Sequence, residues 1–230
     1  MKDSPHHNKE ARMMNWHGKR KALTFSYDDG VWQDERLAEL FNRYQVKCTF
    51  NVNSALLGDE KGRCMSLEKA RKVYRGHEVA AHTLTHPHLE KLSRDDVLAE
   101  VLGDKKALTA MFGAPVCGMA YPFGTYSDEV VDVLRTCGIA YSRTVEASLN
   151  LEIPQDLLRL KPTCHHDHPQ AFERAEAFLR DAGDKPLLLY IWGHSYEFDQ
   201  KDNWQRMEDL LKLLSGHDDV FYGTNSEALL

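Results

Sequence analysis

The sequence predicts an α/β fold of parallel strands backed by outer helices. Short apolar runs rich in Val, Phe, Tyr, Leu and Thr alternate with amphipathic stretches along the chain, the alternation that builds strand–helix–strand units. There are about seven such units, too many for a small open sheet and close to the count of an eight-unit barrel. A third pattern is independent of these two. Carboxylates and histidines gather just after the apolar runs, at the carboxyl ends of the strands, where parallel folds carry their chemistry.

Strands are expected over 21–27, 46–52, 77–82, 116–121, 139–143, 187–192 and 220–222, each bounded by turn residues. The first helix, over 34–44, follows from Leu37, Leu40, Phe41 and Tyr44 at helical spacing. Another is expected over 67–74. Ser93 is a good N-cap for a helix over 94–112, with Asp96 three residues on. Val97, Val101, Leu102, Leu108 and Met111 form its apolar stripe. Ser127 caps the next helix, Asp128 and Glu129 sit in its positive first turn, and Gly138 stops it. The remaining helices are expected over 170–181 and 204–214. No repeat or low-complexity linker interrupts the pattern. Residues 1–20 therefore read as an N-terminal extension and 21–230 as a single domain.

The chain has 230 residues, 42% hydrophobic and 28% charged, the balance of a globular rather than a disordered protein. Its formal net charge of −6 argues against a nucleic-acid partner, because no basic excess exists to neutralise phosphates. The five cysteines are odd in number and form no Cys-x-x-Cys pair, so neither a disulfide framework nor a thiolate zinc site is expected. The polar N-terminus has no apolar core of signal-peptide length, and no run is long enough to span a membrane. With reduced thiols, these features lead us to expect a cytoplasmic location.

Five motifs carry chemistry. TFSYDDG at 24–30 runs a strand into adjacent carboxylates, Asp28 and Asp29. Both ionise cheaply only beside a cation, although an ordinary Asp-Gly turn has the same letters. HEVAAHTLTHPHL at 77–89 contains His82-x-x-x-His86, and Pro87 keeps His86 out of a straight helix, so the pair belongs to a strand-to-helix loop. One carboxylate and two imidazoles make three protein ligands with a position left for water, the open arrangement of a catalytic site. AYPFGTYSDE at 120–129 ends another strand in a tight turn, which turns the Phe123 backbone N–H toward the site or is a plain loop. LLLYIWGHSYEFD at 187–199 ends a buried strand in His194, followed by Glu197 and Asp199. A histidine there is a good general acid; the carboxylates orient it, bind hydroxyls or are solvated. LKPTCHHDHP at 160–169 reads as a second metal site or, more simply, as a polar rim loop in which His165 or His166 lines the pocket.

The order of these motifs, TFSYDDG, HTLTH, YPFG and a late strand ending in His, resembles the polysaccharide deacetylase family (carbohydrate esterase family 4) over roughly residues 22–195. The resemblance implies a distorted (β/α)7-type barrel and a single deacetylase-like domain. It implies an enzyme that removes an acetyl group from an N-acetylated or O-acetylated sugar, acting on amide bonds other than peptide bonds. Asp28 is then the general base, Asp29, His82 and His86 hold one divalent ion, Phe123 offers its N–H to the oxyanion, and His194 is the general acid. Zinc suits a two-His, one-carboxylate site best, with cobalt, manganese or nickel able to substitute. Tyr121, Trp192, Glu197, Arg143 and His166 are expected to line the substrate side, and the partner is a carbohydrate or small acetylated molecule.

Three departures from the family pattern stand out. Ser26 and Tyr27 separate Phe25 from the Asp pair, reading as a two-residue insertion. Ala120 stands where the family has an arginine beside the base, and Arg143 is the candidate replacement. Gly193 precedes His194 where the family has leucine. Rival readings are a hydrolase of a small non-carbohydrate amide on the same scaffold and a non-catalytic carbohydrate-binding relative whose aromatics (Tyr126, Tyr196 and Trp204 among them) stack on sugars. A glycosidase using Glu197 with Asp199 or Asp28 would leave the histidine pair unexplained.

Overall fold

The computed structural model describes residues 16–58 and 62–230. Eight strands run in chain order as β1 Lys21–Asp28, β2 Thr49–Val52, β3 Glu78–Ala81, β4 Gly118–Ala120, β5 Tyr141–Arg143, β6 Cys164–His165, β7 Leu187–Gly193 and β8 Val220–Tyr222. The helices are α1 Asp34–Arg43, α2 Leu67–Val73, α3 Arg94–Phe112, α4 Asp128–Thr136, α5 Ala171–Arg180, α6 Tyr196–Gln200, α7 Trp204–Leu214 and α8 Asn225–Leu229. All the strand pairings are parallel, in the order β5-β4-β3-β2-β1-β7-β6, with β8 beside β1. This is a distorted (β/α)7 barrel with outer helices.

The centre of the sheet is β1, buried along its whole length. Its letters alternate: Leu23, Phe25 and Tyr27 enter the apolar core, while Thr24, Ser26 and Asp28 are buried through hydrogen bonds to Asn225 and Asn51. Its register with β7 is unbroken from Lys21↔Leu187 to Tyr27↔Gly193. Nothing is looped out, so the apparent insertion at Ser26 and Tyr27 is absent from the fold. Tyr27 is itself the buried aromatic directly ahead of the Asp pair. On its other flank, β1 pairs with β8 at Lys21–Leu23 and with β2 at Ser26–Asp28. The edges β5 and β6 are joined by segment 160–163. Leu160 bridges to Arg143, and the Thr163 N–H donates to the Tyr190 carbonyl at 2.8 Å.

Helix ends follow the capping residues. The Ser93 hydroxyl accepts from the Asp96 N–H, and Ser127 does the same for Val130, each satisfying an N–H that the helix leaves orphaned. Gly113, at φ 71°, closes α3 in the left-handed conformation that glycine adopts without strain. The stripe of α3 buries Val97, Val101, Leu108 and also Asp104, a carboxylate on the core face. Of the segment 1–20 expected to be an extension, residues 1–15 lie outside the described residues. Trp16 is buried and donates its indole N–H to the Ala228 carbonyl at 3.1 Å, and Arg20 pairs with Asp181.

Strand direction places the chemistry. Asp28, Arg143, His165 and Gly193 end β1, β5, β6 and β7, while His82 and Tyr121 immediately follow β3 and β4. All face the same carboxyl-terminal rim.

Candidate active site

Asp29 leaves β1 with φ 85°, its N–H bonded to the Asn51 carbonyl at 3.0 Å. Its Oδ1 lies 3.6 Å from His82 Nε2 and 3.8 Å from His86 Nε2. His82 Nδ1 lies 2.8 Å from the Ala120 carbonyl. A carbonyl only accepts, so Nδ1 carries the proton and Nε2 presents its lone pair toward Asp29. Burial, with His82 adding, lowers the His86 pKa to about 4, which keeps its imidazole neutral as a ligand must be. The residues therefore fit a divalent ion: one carboxylate oxygen and two imidazole nitrogens converge.

The loop holding the histidines is strained and tied down. Thr83 and His86 have φ of 69° and 61°, and Phe123, facing them, has 57°. With Asp29, these are four of the eight described non-glycine residues at positive φ, and such strain persists only where surrounding bonds over-determine it. Asp104 accepts from the N–H groups of His82 at 2.9 Å and Ser54 at 2.8 Å. The Asn53 amide donates to the carbonyls of His82 and Thr83. The Thr83 hydroxyl accepts from the His86 N–H at 3.1 Å.

Asp28 is buried beside this cluster. Its Oδ2 is paired with the fully buried Arg143 guanidinium and lies 4.0 Å from His82 Nε2, while its Oδ1 accepts from Asn51 at 2.8 Å. Burial opposes its ionisation, but Arg143, His82 and His194 overcome it and bring the pKa down to about 2. Arg143 is the cross-strand partner of Ala120. The guanidinium missing from one strand end is thus supplied from the next, lying 4.2 Å over the Trp192 ring.

His194 follows β7. Its N–H donates to Glu197 Oε2 at 3.3 Å, and its Nδ1 stands 3.7 Å from Oε1. Burial lowers the pKa of the ring, but Glu197, Asp28 and Asp29 outweigh it and raise the pKa above its ordinary value. Glu197 also contacts His165 at 2.8 Å, and burial is overcome there by the two histidines, which hold its carboxyl well below the usual range.

The other sequence candidates fall in different places. Tyr121 is buried, its hydroxyl donating to the Leu158 carbonyl at 2.7 Å and its ring stacked on Tyr126. Trp192 is buried between Arg143 and His165. Phe123 is half exposed, its ring against His86 and stacked on His88. His166 is buried against Tyr27 and Phe198. Asp199 accepts from Gln33 and Trp204, which engages both its oxygens.

Sequence reasoning passes over Asn51, Asn53, Asp104, Asp34 and Arg63. Arg63 donates to Asp29 Oδ2 at 3.1 Å. Asp34 accepts from Ser195, the residue after His194, at 2.5 Å and from Tyr74 at 2.7 Å. One signal was present: two asparagines in the run TFNVN are out of place in an apolar strand.

A polysaccharide deacetylase family model matches residues 16–142. A chitooligosaccharide deacetylase of Sinorhizobium fredii is 34% identical over 123 residues, 52% of this chain and 54% of that protein. A peptidoglycan-N-acetylglucosamine deacetylase of Listeria monocytogenes is 33% identical over 116 residues, 50% of this chain and 23% of that one. The chain thus matches about half of the first relative's length and less of the second's. Among solved structures, a family 4 acetyl xylan esterase from Clostridium thermocellum in complex with a cobalt ion superposes with a TM-score of 0.61 at 15% identity, covering 90% of this chain and 89% of that one. At that identity the likeness is one of fold.

Proposed function

The chain belongs to the polysaccharide deacetylase family, and from that premise we propose that it hydrolyses the acetyl group of an N-acetylated sugar with one divalent ion held by Asp29, His82 and His86. The observation that carries the reading is the convergence of Asp29 Oδ1 with two imidazole Nε2 atoms at 3.6 and 3.8 Å, beside an Asp28 kept ionised by Arg143. The S. fredii and L. monocytogenes relatives, named for chitooligosaccharide and peptidoglycan deacetylation, support the substrate class. The donor set favours zinc, with cobalt, manganese or nickel able to substitute.

When bound, the ion supplies Lewis-acid polarisation and raises the acidity of water in the site. Asp28 Oδ2, the oxygen facing His82, takes the proton of the attacking water. A carboxylate whose pKa is near 2 is a weak base, so it acts only on water whose acidity has already been raised. Arg143 and Asn51 fix that carboxylate in place. The Phe123 N–H donates to the oxygen of the tetrahedral state, an interaction of typically about 3 kcal/mol. His194, whose proton Glu197 and the Asp pair favour, gives it to the leaving nitrogen.

Elemental analysis and acetate release from N-acetylglucosamine oligomers test the assignment. Asp29→Ala is expected to lose the ion held at this centre. Asp28→Asn is expected to keep the metal and lose turnover by roughly a hundredfold or more, the scale of removing a positioned base. Full activity in Asp28→Asn would overturn the role given to that residue.

A further inference from the structure

We infer that the chain carries a second divalent-cation site, built by His165, His166 and Glu197 and separate from the centre proposed above. β6 ends in His165, paired with Trp192, and the His166 N–H donates to the Trp192 carbonyl at 2.8 Å. Two successive imidazoles thus leave one strand end, and Glu197 in the first turn of α6 meets them. One ligand atom from each residue lies within 4.8 Å of the others. Glu197 Oε2 stands 2.8 Å from His165 Nε2 and 3.4 Å from His166 Nε2. Ligands around a four-coordinate ion with bonds of 2.0–2.1 Å are about 3.3 Å apart, so shifts of a few tenths of an ångström would seat one.

A second observation points to a ligand. His166 is 1% exposed, and neither of its ring nitrogens makes a hydrogen bond among the described residues. A buried polar ring that lacks a hydrogen bond calls for a partner, and its Nε2 lies 3.4 Å from Glu197 Oε2 and 3.5 Å from Asp167 Oδ2. The fold clears space to keep the ring there. It lies 5.7 Å from the near-parallel Tyr27 ring and 4.3 Å from Phe198. A Cβ on Gly193 would stand 1.9 Å from His166 Nδ1, so only glycine is accommodated at that strand position. The departure from leucine before His194 thereby has a physical reason. Asp167 is not counted as a ligand, because Lys201 and Asn203 already engage its oxygens. The side chains of His165 and Glu197 are 22% and 18% exposed, which leaves water access to the remaining coordination positions. Two imidazoles with one carboxylate select a borderline ion such as zinc, cobalt or nickel over magnesium or calcium.

Metal stoichiometry tests this without recourse to activity. The full chain, stripped with a chelator, is titrated with cobalt(II) and followed by equilibrium dialysis and visible absorption. The wild type is expected to bind two equivalents, one at each group. His165→Gln and Glu197→Gln, both at part-exposed positions, are each expected to lose one and keep the other, as is Asp29→Ala. Asp29→Ala combined with Glu197→Gln is expected to bind none, with circular dichroism confirming that each variant is folded. A single equivalent unaffected by His165→Gln and Glu197→Gln overturns the second site and leaves the proposed centre standing. A single equivalent unaffected by Asp29→Ala but lost in Glu197→Gln overturns the proposed centre and keeps this one. No binding at all overturns both.

Discussion

At Asp28 the fold buries a carboxylate against a guanidinium, their side chains 3% and 0% exposed. Such a pair contributes little net stability relative to apolar residues, but removing one partner strands the other charge. Arg143→Ala is therefore expected to destabilise the protein by about 3–5 kcal/mol, measured by urea unfolding. Asp34 shows the opposite balance. Burial pushes its carboxyl up to about 7, despite bonds donated by Ser195 and Tyr74. An unfolded aspartate releases its proton near ~3.9, so between about 4 and about 7 the native state holds the extra proton. Asp34 therefore contributes stability at low pH that is lost as pH rises through that window. Asp34→Asn should flatten this part of the stability–pH curve; an unchanged slope in urea titrations across the window would contradict the assignment. At this scale the sequence was most legible where chemistry is adjacent or periodic: Asp28 beside Asp29, His82 four before His86, and His194 at the end of an apolar run. Asn53, Asp104 and Arg63 act through partners 29, 22 and 34 positions away, and no local pattern announces such pairs.

The elements were legible in proportion to their length. The helices of nine or more residues, α1, α3, α4, α5 and α7, are long enough to be expected from the sequence. By contrast, β6 has two residues and α6 and α8 have five each, too few to display a period. Strand starts were set too early at β2 and β3, because Val46, Cys48 and His77 are drawn inward by packing without joining the ladder. Capping was readable from sequence, and Ser93→Ala is expected to cost about 1 kcal/mol by thermal or urea unfolding, through the orphaned Asp96 N–H. The close approach of His166 to β7 was not readable, since nothing in the letters WGH reports a ring from another strand. Gly193→Ala should destabilise by about 1–3 kcal/mol and displace His166, which NMR of the imidazole resonances would follow.

For the molecule as a whole, alternation and unit count were enough to predict the parallel barrel, because strand–helix repetition leaves few topologies that bury both faces of a sheet. How the ring is joined was not legible. It depends on segment 160–163, which the sequence presents only as a polar approach to the histidine-rich loop.

That seam is more sparsely paired than the centre of the wall. Between β1 and β7 the ladder runs through seven successive register pairs, whereas β5 meets the seam through the single pair Arg143 and Leu160, with the Leu160 N–H donating to the Ser142 carbonyl and the Thr144 N–H to the Leu160 carbonyl. Local opening follows sparse pairing, so amide deuteration should enter earlier at Thr144 and Leu160 than at Leu23 and Phe25. The residue at the seam's edge is also the cation that neutralises Asp28. Each breath of the wall there loosens the counter-charge of the carboxylate, tying the tempo of a sparsely laced join to the readiness of a buried acid.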